Sequence, residues 1–234
     1  MKIKILALFL LIIFVKVSLS QDKLNEIGVR YSYLVPIGTL SNRFIPTSGF
    51  SIFYGYKTSS KWHWQGRLEY FSFSKENRKR LNIRRKLTLQ DQEQIFEFPL
   101  PKLNMYLNVY GLSASANYYF YNKSGLRLCL DLGFGIFRWE SFRSEYFDTL
   151  RVTYGEKTYD AVILQVPSLK QLDWSGGFNL GFSSDILIFN PIWLNISTNY
   201  KAIIGELWAT LNLDLENISV FQIYEVSASF KFFF

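Results

Sequence analysis

Residues 220–234 read VFQIYEVSASFKFFF, and this stretch decides the fold that the sequence predicts. Alternate residues fall on two chemically different sides. The apolar side carries Val226, Ala228, Phe230, Phe232 and Phe234, and the polar side carries Glu225, Ser227, Ser229 and Lys231. Such strict alternation predicts a β-strand with one apolar face and one polar face.

The same alternation recurs in seven earlier segments. In one of them, for example, Trp62 and Trp64 flank His63. The predicted strands span residues 26–36, 49–57, 61–74, 104–121, 125–139, 171–184, 192–202 and 220–234. An even number of strands with alternating faces predicts an all-β, up-and-down arrangement.

The connections between these strands alternate in length. Long connections cover 37–48, 75–103 and 140–170, a medium one covers 205–217, and short ones cover 58–60, 122–124 and 185–191. Transmembrane barrels have short periplasmic turns and longer extracellular loops. A sheet that crosses hydrocarbon must also have no unpaired edge. The sequence therefore predicts a closed antiparallel eight-stranded transmembrane β-barrel, with both termini periplasmic.

The amino terminus has the pattern of a secretory signal peptide. Lys2 and Lys4 precede an apolar run from residue 5 to 15, and small residues precede a predicted cut after Ser20. We therefore expect a signal peptide at 1–20 and a barrel domain at 21–234. Removing that segment takes away three of the 26 basic residues and no acid, which leaves 23 against 19 acidic residues and a net charge of +4. This excess is too small to imply a nucleic-acid partner.

The polar faces of the strands carry charges of both signs. Eight strands enclose only enough room for side chains to fill the interior, and buried charges are tolerable when they are paired. We therefore expect an ion-pair network that plugs the lumen, and a narrow passive channel for small solutes is the alternative. The candidate network comprises Arg30, Arg67, Glu69, Arg127, Asp131, Asp173, Lys201, Glu225 and Lys231.

Few residues offer chemistry. The one histidine, His63, is predicted to lie just after a periplasmic turn, facing inward, and a structural role is favoured over a catalytic one. A lone histidine also excludes a histidine-rich zinc site, and no cofactor is expected. The single cysteine, Cys129, excludes an intramolecular disulfide and is expected to pack as a small apolar group.

The connection at 75–103 begins with a basic run. Its members are Lys75, Arg78, Lys79, Arg80, Arg84, Arg85 and Lys86, against one acid, Glu76. On the predicted topology this loop is extracellular, where it would meet lipopolysaccharide phosphates, although charge that only keeps the loop solvated is an equally simple explanation. The following segment, 91–100, is either an edge that docks a partner or a strand extension above the membrane.

The chain resembles the small Gram-negative outer-membrane β-barrel superfamily that includes the OmpA, OmpX and OmpW types. The resemblance rests on the strand pattern, the loop rhythm, the YSYLVPIG end of the first strand at 31–38, and the final phenylalanine. It implies outer-membrane localisation and recognition of Phe230, Phe232 and Phe234 by the barrel-assembly machinery. It also implies a role in envelope structure or interaction, with lipid, lipopolysaccharide or envelope proteins as partners. Some barrels of this kind modify lipid A by means of a His and a Ser, so a lipid A-modifying enzyme is a second alternative.

Overall fold

A computed structural model describes residues 25–89, 92–100, 102–154, 157–207 and 218–234. Eight long strands close into one barrel: β1 Asn25–Ile37, β2 Thr47–Lys57, β3 Trp62–Phe73, β6 Met105–Lys123, β7 Leu126–Arg143, β10 Leu169–Phe189, β11 Ile192–Leu207 and β12 Ile218–Phe233. Their spatial order is β1-β12-β11-β10-β7-β6-β3-β2, and every neighbouring pair is antiparallel. The prediction of a closed antiparallel eight-stranded all-β barrel is confirmed.

The first and last strands close the sheet. Tyr31 of β1 lies opposite Ala228 of β12, and the register continues from Glu26↔Phe233 to Ile37↔Gln222. The C-terminal strand that decided the prediction is thus the one that removes the sheet's edges. The predicted signal peptide at 1–20 lies outside the described residues, as does most of the connection at 205–217.

The two longest connections contain regular structure that the sequence reading missed. β4 Asn82–Leu89 pairs with β5 Gln92–Pro99, and β8 Tyr146–Tyr154 pairs with β9 Lys157–Val166. Each pair is a separate two-stranded sheet at the end of the barrel that carries the long connections. We call this end the loop end, and the opposite end, which carries the short connections, the turn end. Charged residues interrupt the two-residue alternation in both segments, which hid the strands. The connection after β1 adds a short 3₁₀ helix, Gly38–Asn42.

The predicted turn at 185–191 is wrong in extent. β10 continues to Phe189, and only residues 190–191 separate it from β11. Asp185, the first residue of the predicted turn, lies inside the strand, opposite Arg127 and Asn195. No helix among the described residues is long and apolar enough to cross a membrane.

Candidate functional site

The barrel is apolar outside and polar inside. Phe134, Phe230, Leu132 and Val29 expose 57–68% of their surface on the outer face, whereas the intervening polar side chains are buried. Aromatic pairs lie near both ends of the strands, with Trp62 against Tyr118 at the turn end and Tyr70 against Tyr110 nearer the loop end. This arrangement inverts the one expected of a protein in water, where large exposed apolar patches are uncommon.

Among the described residues, five basic and five acidic side chains line the lumen between the turn end and the apolar residues of the loop end. The basic ones are Arg30, Arg67, Arg127, Lys201 and Lys231, and the acidic ones are Glu26, Glu69, Asp131, Asp185 and Glu225. Eight of these ten belong to the predicted network. The balance of signs limits the electrostatic penalty of burying so many charges together.

Lys231 is the centre of a cluster near the turn end. Its Nζ lies 3.0 Å from Asp185 Oδ1 and 3.9 Å from Glu26 Oε2. Asp185 also accepts hydrogen bonds from Asn195 Nδ2 at 2.6 Å and from the Tyr119 hydroxyl at 2.9 Å. All of these residues are buried, and Asp185 is 0% exposed. The carboxylate is therefore fully occupied by one cation and two neutral donors.

Lys201 is the centre of a second cluster farther along the barrel. Its Nζ forms a short ion pair with Glu69 and lies 3.4 Å from Glu225 Oε2. The Ser32 hydroxyl donates to Glu225 Oε1 at 2.6 Å, and the ammonium group lies over the ring of Phe71. One lysine, on β11, thus bridges carboxylates from β3 and β12, which are separated by β1 and β2 around the barrel.

The three arginines are held differently from the two lysines. Arg67 Nη2 donates to Gln65 Oε1 at 3.3 Å, and Gln65 Nε2 donates to Glu26 Oε1 at 3.1 Å. Arg30 lies over the ring of Phe53, with its guanidinium carbon 5.4 Å from the ring centroid. Arg127 lies over Trp193 at 4.0 Å. Stacking on aromatic rings is a mode that suits guanidinium groups.

Two predictions of the charge network need correction. Asp173 does not join the network, because it lies near the loop end of β10 and is exposed, with Oδ1 accepting from the Trp174 backbone N–H at 2.7 Å. Glu26 and Asp185 do join it but were left out. Both lie on the inward side of their strands. Glu26 lies within the predicted first strand and Asp185 lies one residue past the predicted sixth, so the two-residue alternation, followed to these positions, would have found them.

An apolar cluster fills the loop end of the barrel. Phe71, Phe137, Trp139 and Phe221 are each at most 2% exposed, and Trp139 meets Phe221 edge to face. Residues from the connections pack onto them, and every member is at most 7% exposed; these residues are Leu40, Phe44, Leu81, Leu100, Leu103, Tyr146 and Val166. The connections therefore fold across this end of the barrel. We call this cluster the apolar cap.

His63 and Cys129 have structural surroundings. The His63 ring lies 4.5 Å from that of Tyr119 and is buried near the turn end of β3. Among the described residues, no hydroxyl or carboxylate hydrogen-bonds to its imidazole. Cys129 is 1% exposed, and its Sγ lies 2.8 Å from Ser183 Oγ. No group of His, Cys, Asp or Glu side chains in the described part of the chain could hold a metal ion.

The basic run is divided between two kinds of structure. Lys75, Arg78, Lys79 and Arg80 are exposed in the segment before β4. The other three, Arg84, Arg85 and Lys86, lie within β4, opposite 95–97 of β5. Arg80 Nη1 lies 3.4 Å from Ser41 Oγ, which joins this segment to the 3₁₀ helix. Within the segment 91–100, residues 92–99 form β5, which pairs with β4 along one side.

Sequence analysis also missed a buried arginine in the first connection. Arg43 is 6% exposed, and its Nη2 is buried without a hydrogen-bond partner among the described residues. Burial, with the neighbouring Arg143 adding to it, lowers the pKa of the Arg43 guanidinium to about 9 from its ordinary 12.5. A buried basic group without an acidic partner favours its neutral form.

No protein-family profile matches this sequence, and none of the curated protein sequences matches it. Solved structures do resemble it. Neisserial surface protein A is 14% identical, over 90% of this chain and 97% of that chain, with a TM-score of 0.50. A major outer membrane protein from Thermus thermophilus is 8% identical over 90% and 99% of the two chains, with a TM-score of 0.48. Ail, the attachment invasion locus protein of Yersinia pestis, is 13% identical over 90% and 97%, with a TM-score of 0.40.

At these identities the likeness concerns the fold alone. The likeness to the Neisserial protein and the closed eight-strand barrel together confirm the resemblance to small outer-membrane barrels.

Proposed function

We propose that this chain, which has the fold of the small outer-membrane barrels, is an integral outer-membrane protein with a plugged lumen that acts through its extracellular loops. One observation carries the proposal: exposed apolar side chains alternate with buried polar and charged side chains along the barrel strands. Phe230 is 59% exposed and its neighbour Lys231 is 2% exposed. A sheet with this pattern is stable in hydrocarbon, where backbone groups are paired within the closed barrel and the outer side chains meet lipid.

Membrane fractionation tests the localisation. The protein is expected in the outer-membrane fraction, and its migration in gels should change on heating, as a closed barrel unfolds only when boiled. Recovery in the soluble periplasmic fraction would overturn the proposal. Cleavage of a signal peptide after Ser20, read by mass spectrometry of the mature protein, checks the export route separately.

The plugged lumen is supported by two layers of buried side chains. The cluster around Lys231 lies near the turn end, the cluster around Lys201 lies farther along the barrel, and the apolar cap fills the loop end. A water-filled pore would need an interior that the side chains leave open. In planar bilayers the refolded protein is expected to give no steady conductance, with a porin reconstituted in parallel to show that insertion works. Steady conductance would favour the narrow passive channel instead.

The exposed basic segment at 75–80 supports an interaction with anionic envelope components. Lys75, Arg78, Lys79 and Arg80 carry four positive charges, and one of them, Arg78, contacts Glu76 at 3.5 Å. Glu76 is mostly covered and also accepts the Met105 backbone N–H at 2.9 Å. Arginine in particular binds phosphate oxygens through two parallel hydrogen bonds. We propose that this segment contacts lipopolysaccharide phosphates, and that the loops as a whole serve envelope structure or interaction.

A charge-matched comparison tests this contact. Replacing Arg78, Lys79 and Arg80 with Ser removes three charges from the loop end, and replacing Lys57, Lys61 and Lys123 with Ser removes three from the turn end. Only the first variant is expected to bind lipopolysaccharide vesicles more weakly, with a smaller dependence on salt. Equal binding by both variants would contradict the proposed contact.

We expect no enzymatic activity. A catalytic histidine needs a nucleophile and an orienting group within hydrogen-bond distance, and His63 is packed beneath Tyr119 instead. Lipid A from cells that express a His63→Ala variant should match lipid A from cells that express the unaltered protein. A change in lipid A composition that depends on His63 would revive the lipid A-modifying alternative.

A further inference from the structure

The turn end of the barrel differs from the capped loop end, because it opens into a cavity of about 410 Å³. Residues 122–125, Leu187 and Asn190 form its rim, and the Leu187 N–H donates a hydrogen bond to the Gly125 carbonyl at 2.9 Å. Arg127, Trp193 and Phe233 form its inner wall, and Lys123 lies on the rim. We call this cavity the vestibule. Its volume falls in the range of small-molecule sites.

Arg127 is the distinctive group of the vestibule. Its guanidinium carbon lies 4.0 Å from the Trp193 ring centroid and 5.0 Å from that of Phe233, so two aromatic rings fix its position. Its Nε is buried without a hydrogen-bond partner, and the side chain makes no ion pair with any described residue. Five N–H donors are thus held in a fixed plane with none of them committed to a carboxylate.

The contrast with Lys231 shows that this is not a general feature of the interior. Lys231 is neutralised by Asp185 at 3.0 Å, and no acidic side chain lines the vestibule. The walls therefore combine a positive charge that makes no ion pair with a described residue, a second cation at the rim, and flat apolar surface. Arginine stacked on aromatic rings binds the two oxygens of a carboxylate or phosphate while the rings contact an attached apolar body.

We propose that the vestibule binds a small organic anion, with Arg127 contacting a carboxylate or phosphate group and Trp193 and Phe233 contacting its apolar part. The site lies at the end of the barrel opposite the extracellular loops and does not rest on the function proposed for them. Ligands would enter from the turn side, because the apolar cap covers the other end.

Calorimetric titration of the refolded full chain in nonionic detergent tests the proposal, with phenylphosphate, benzoate and inorganic phosphate as probes. Phenylphosphate is expected to bind at least tenfold more tightly than inorganic phosphate, since only the former has a ring to stack. Benzoate shows whether a carboxylate serves as well as a phosphate. Binding should also change the tryptophan fluorescence, and Trp193→Phe should abolish that change.

Three variants separate a specific site from general attraction. Arg127→Ala should weaken phenylphosphate binding at least tenfold, as expected for a hydrogen bond to a charged group. Arg127→Lys keeps the charge but loses the planar donors, and should weaken binding at least fivefold. Arg138→Ala removes an exposed arginine from the other end of β7 and should leave binding unchanged.

Heat-dependent gel migration first establishes that each variant is folded. If Arg127→Ala does not fold, Arg127→Lys and the rim variant Lys123→Ala decide the question. Affinity within twofold of the unaltered protein for Arg127→Lys, or no binding of phenylphosphate at ~10 mM to the unaltered protein, overturns the proposal.

Discussion

Replacing Lys231 with Met removes the cation at the centre of the turn-end cluster while keeping a side chain of similar length. Lys231 is 2% exposed and serves two buried carboxylates, Asp185 and Glu26. The variant leaves both carboxylates in an interior that holds little water. We expect a large loss of stability from a single substitution.

The magnitude follows from the remaining partners. Asp185 keeps its hydrogen bonds from Asn195 and Tyr119, and Glu26 keeps the one from Gln65. The variant therefore loses one charged hydrogen bond, about 1.5–3 kcal/mol, and exposes two like charges to each other without a cation. Removing one partner of a buried ion pair typically destabilises by about 3–5 kcal/mol, and we expect a loss in that range.

Urea unfolding of the refolded protein in micelles measures this loss, with tryptophan fluorescence as the signal. Lys123→Met is the matched control, because Lys123 is exposed at the turn end and should change the free energy of unfolding by less than about 0.5 kcal/mol. Adding Asp185→Asn to Lys231→Met should recover at least about 1.5 kcal/mol, because it removes one of the stranded charges.

Equal stabilities for Lys231→Met and Lys123→Met would refute the reasoning. That result would mean that water reaches the carboxylates and solvates them as well as the lysine does. The interior would then be wet, and the plugged lumen would lose its main support.

Three further predictions concern other parts of the molecule. Arg43→Met should raise the free energy of unfolding at pH 7 by about 1–4 kcal/mol. Burial lowers the guanidinium pKa to about 9, so the charged guanidinium destabilises the fold below that pH, and the stability of the unaltered protein should rise between pH 9 and 12.5 as the group loses its proton. Urea titrations across this pH range should show the rise for the unaltered protein and not for the variant. Gly111→Ala should destabilise by about 1–3 kcal/mol, because the added carbon would lie 2.7 Å from an aromatic ring, whereas Gly176→Ala, with nothing within 4 Å, should be neutral in the same assay. Leu132→Arg should destabilise the barrel in lipid vesicles by about 2–4 kcal/mol. Phe147 is also exposed but lies in the loop-end hairpin β8–β9, so Phe147→Arg should change the stability by less than about 0.5 kcal/mol.

The two-residue period predicted the barrel because the fold depends on little else. Each strand needs one face for the surroundings and one for the interior, and this requirement is written in the residue types themselves. In β12, Phe230 and Lys231 differ in exposure by 57 percentage points although they are adjacent. The two-residue alternation did not predict the structure of the loop end, where the packing of the connections decides the fold.

The apolar cap illustrates that failure. The inward side of β12 changes from Glu225 to Ile223 and Phe221 toward the loop end, and the inward side of β3 ends in Phe71 and Phe73. A purely polar interior would not change in this way, so the sequence held a signal for the cap. What it could not supply was the partner surface, because Leu40 and Leu100 come from connections whose path across the barrel is set by long-range packing.

The charge network shows a second limit. Alternation tells which side chains face inward, and it placed Arg30, Lys201 and Lys231 correctly on that side. It does not tell how far along the strand the enclosed region extends, which is why Asp173 was included and Asp185 was not. The alternation also cannot tell which inward charges pair with each other, because Lys201 and Glu69 are 132 residues apart and meet only once the barrel closes.

The interior changes in character from one end to the other, and this order has a physical reason. A cap made mainly of aromatic and aliphatic side chains closes the loop end, and it covers few polar groups, Arg43 among them. Between this cap and the turn end the interior buries many charges, and each of Lys231 and Lys201 is shared between two carboxylates. Among the described residues Arg30 and Arg67 also lack an ion pair, but both are 3% exposed. Arg127 instead lines the vestibule, so its guanidinium group can meet an anion that enters from the turn end.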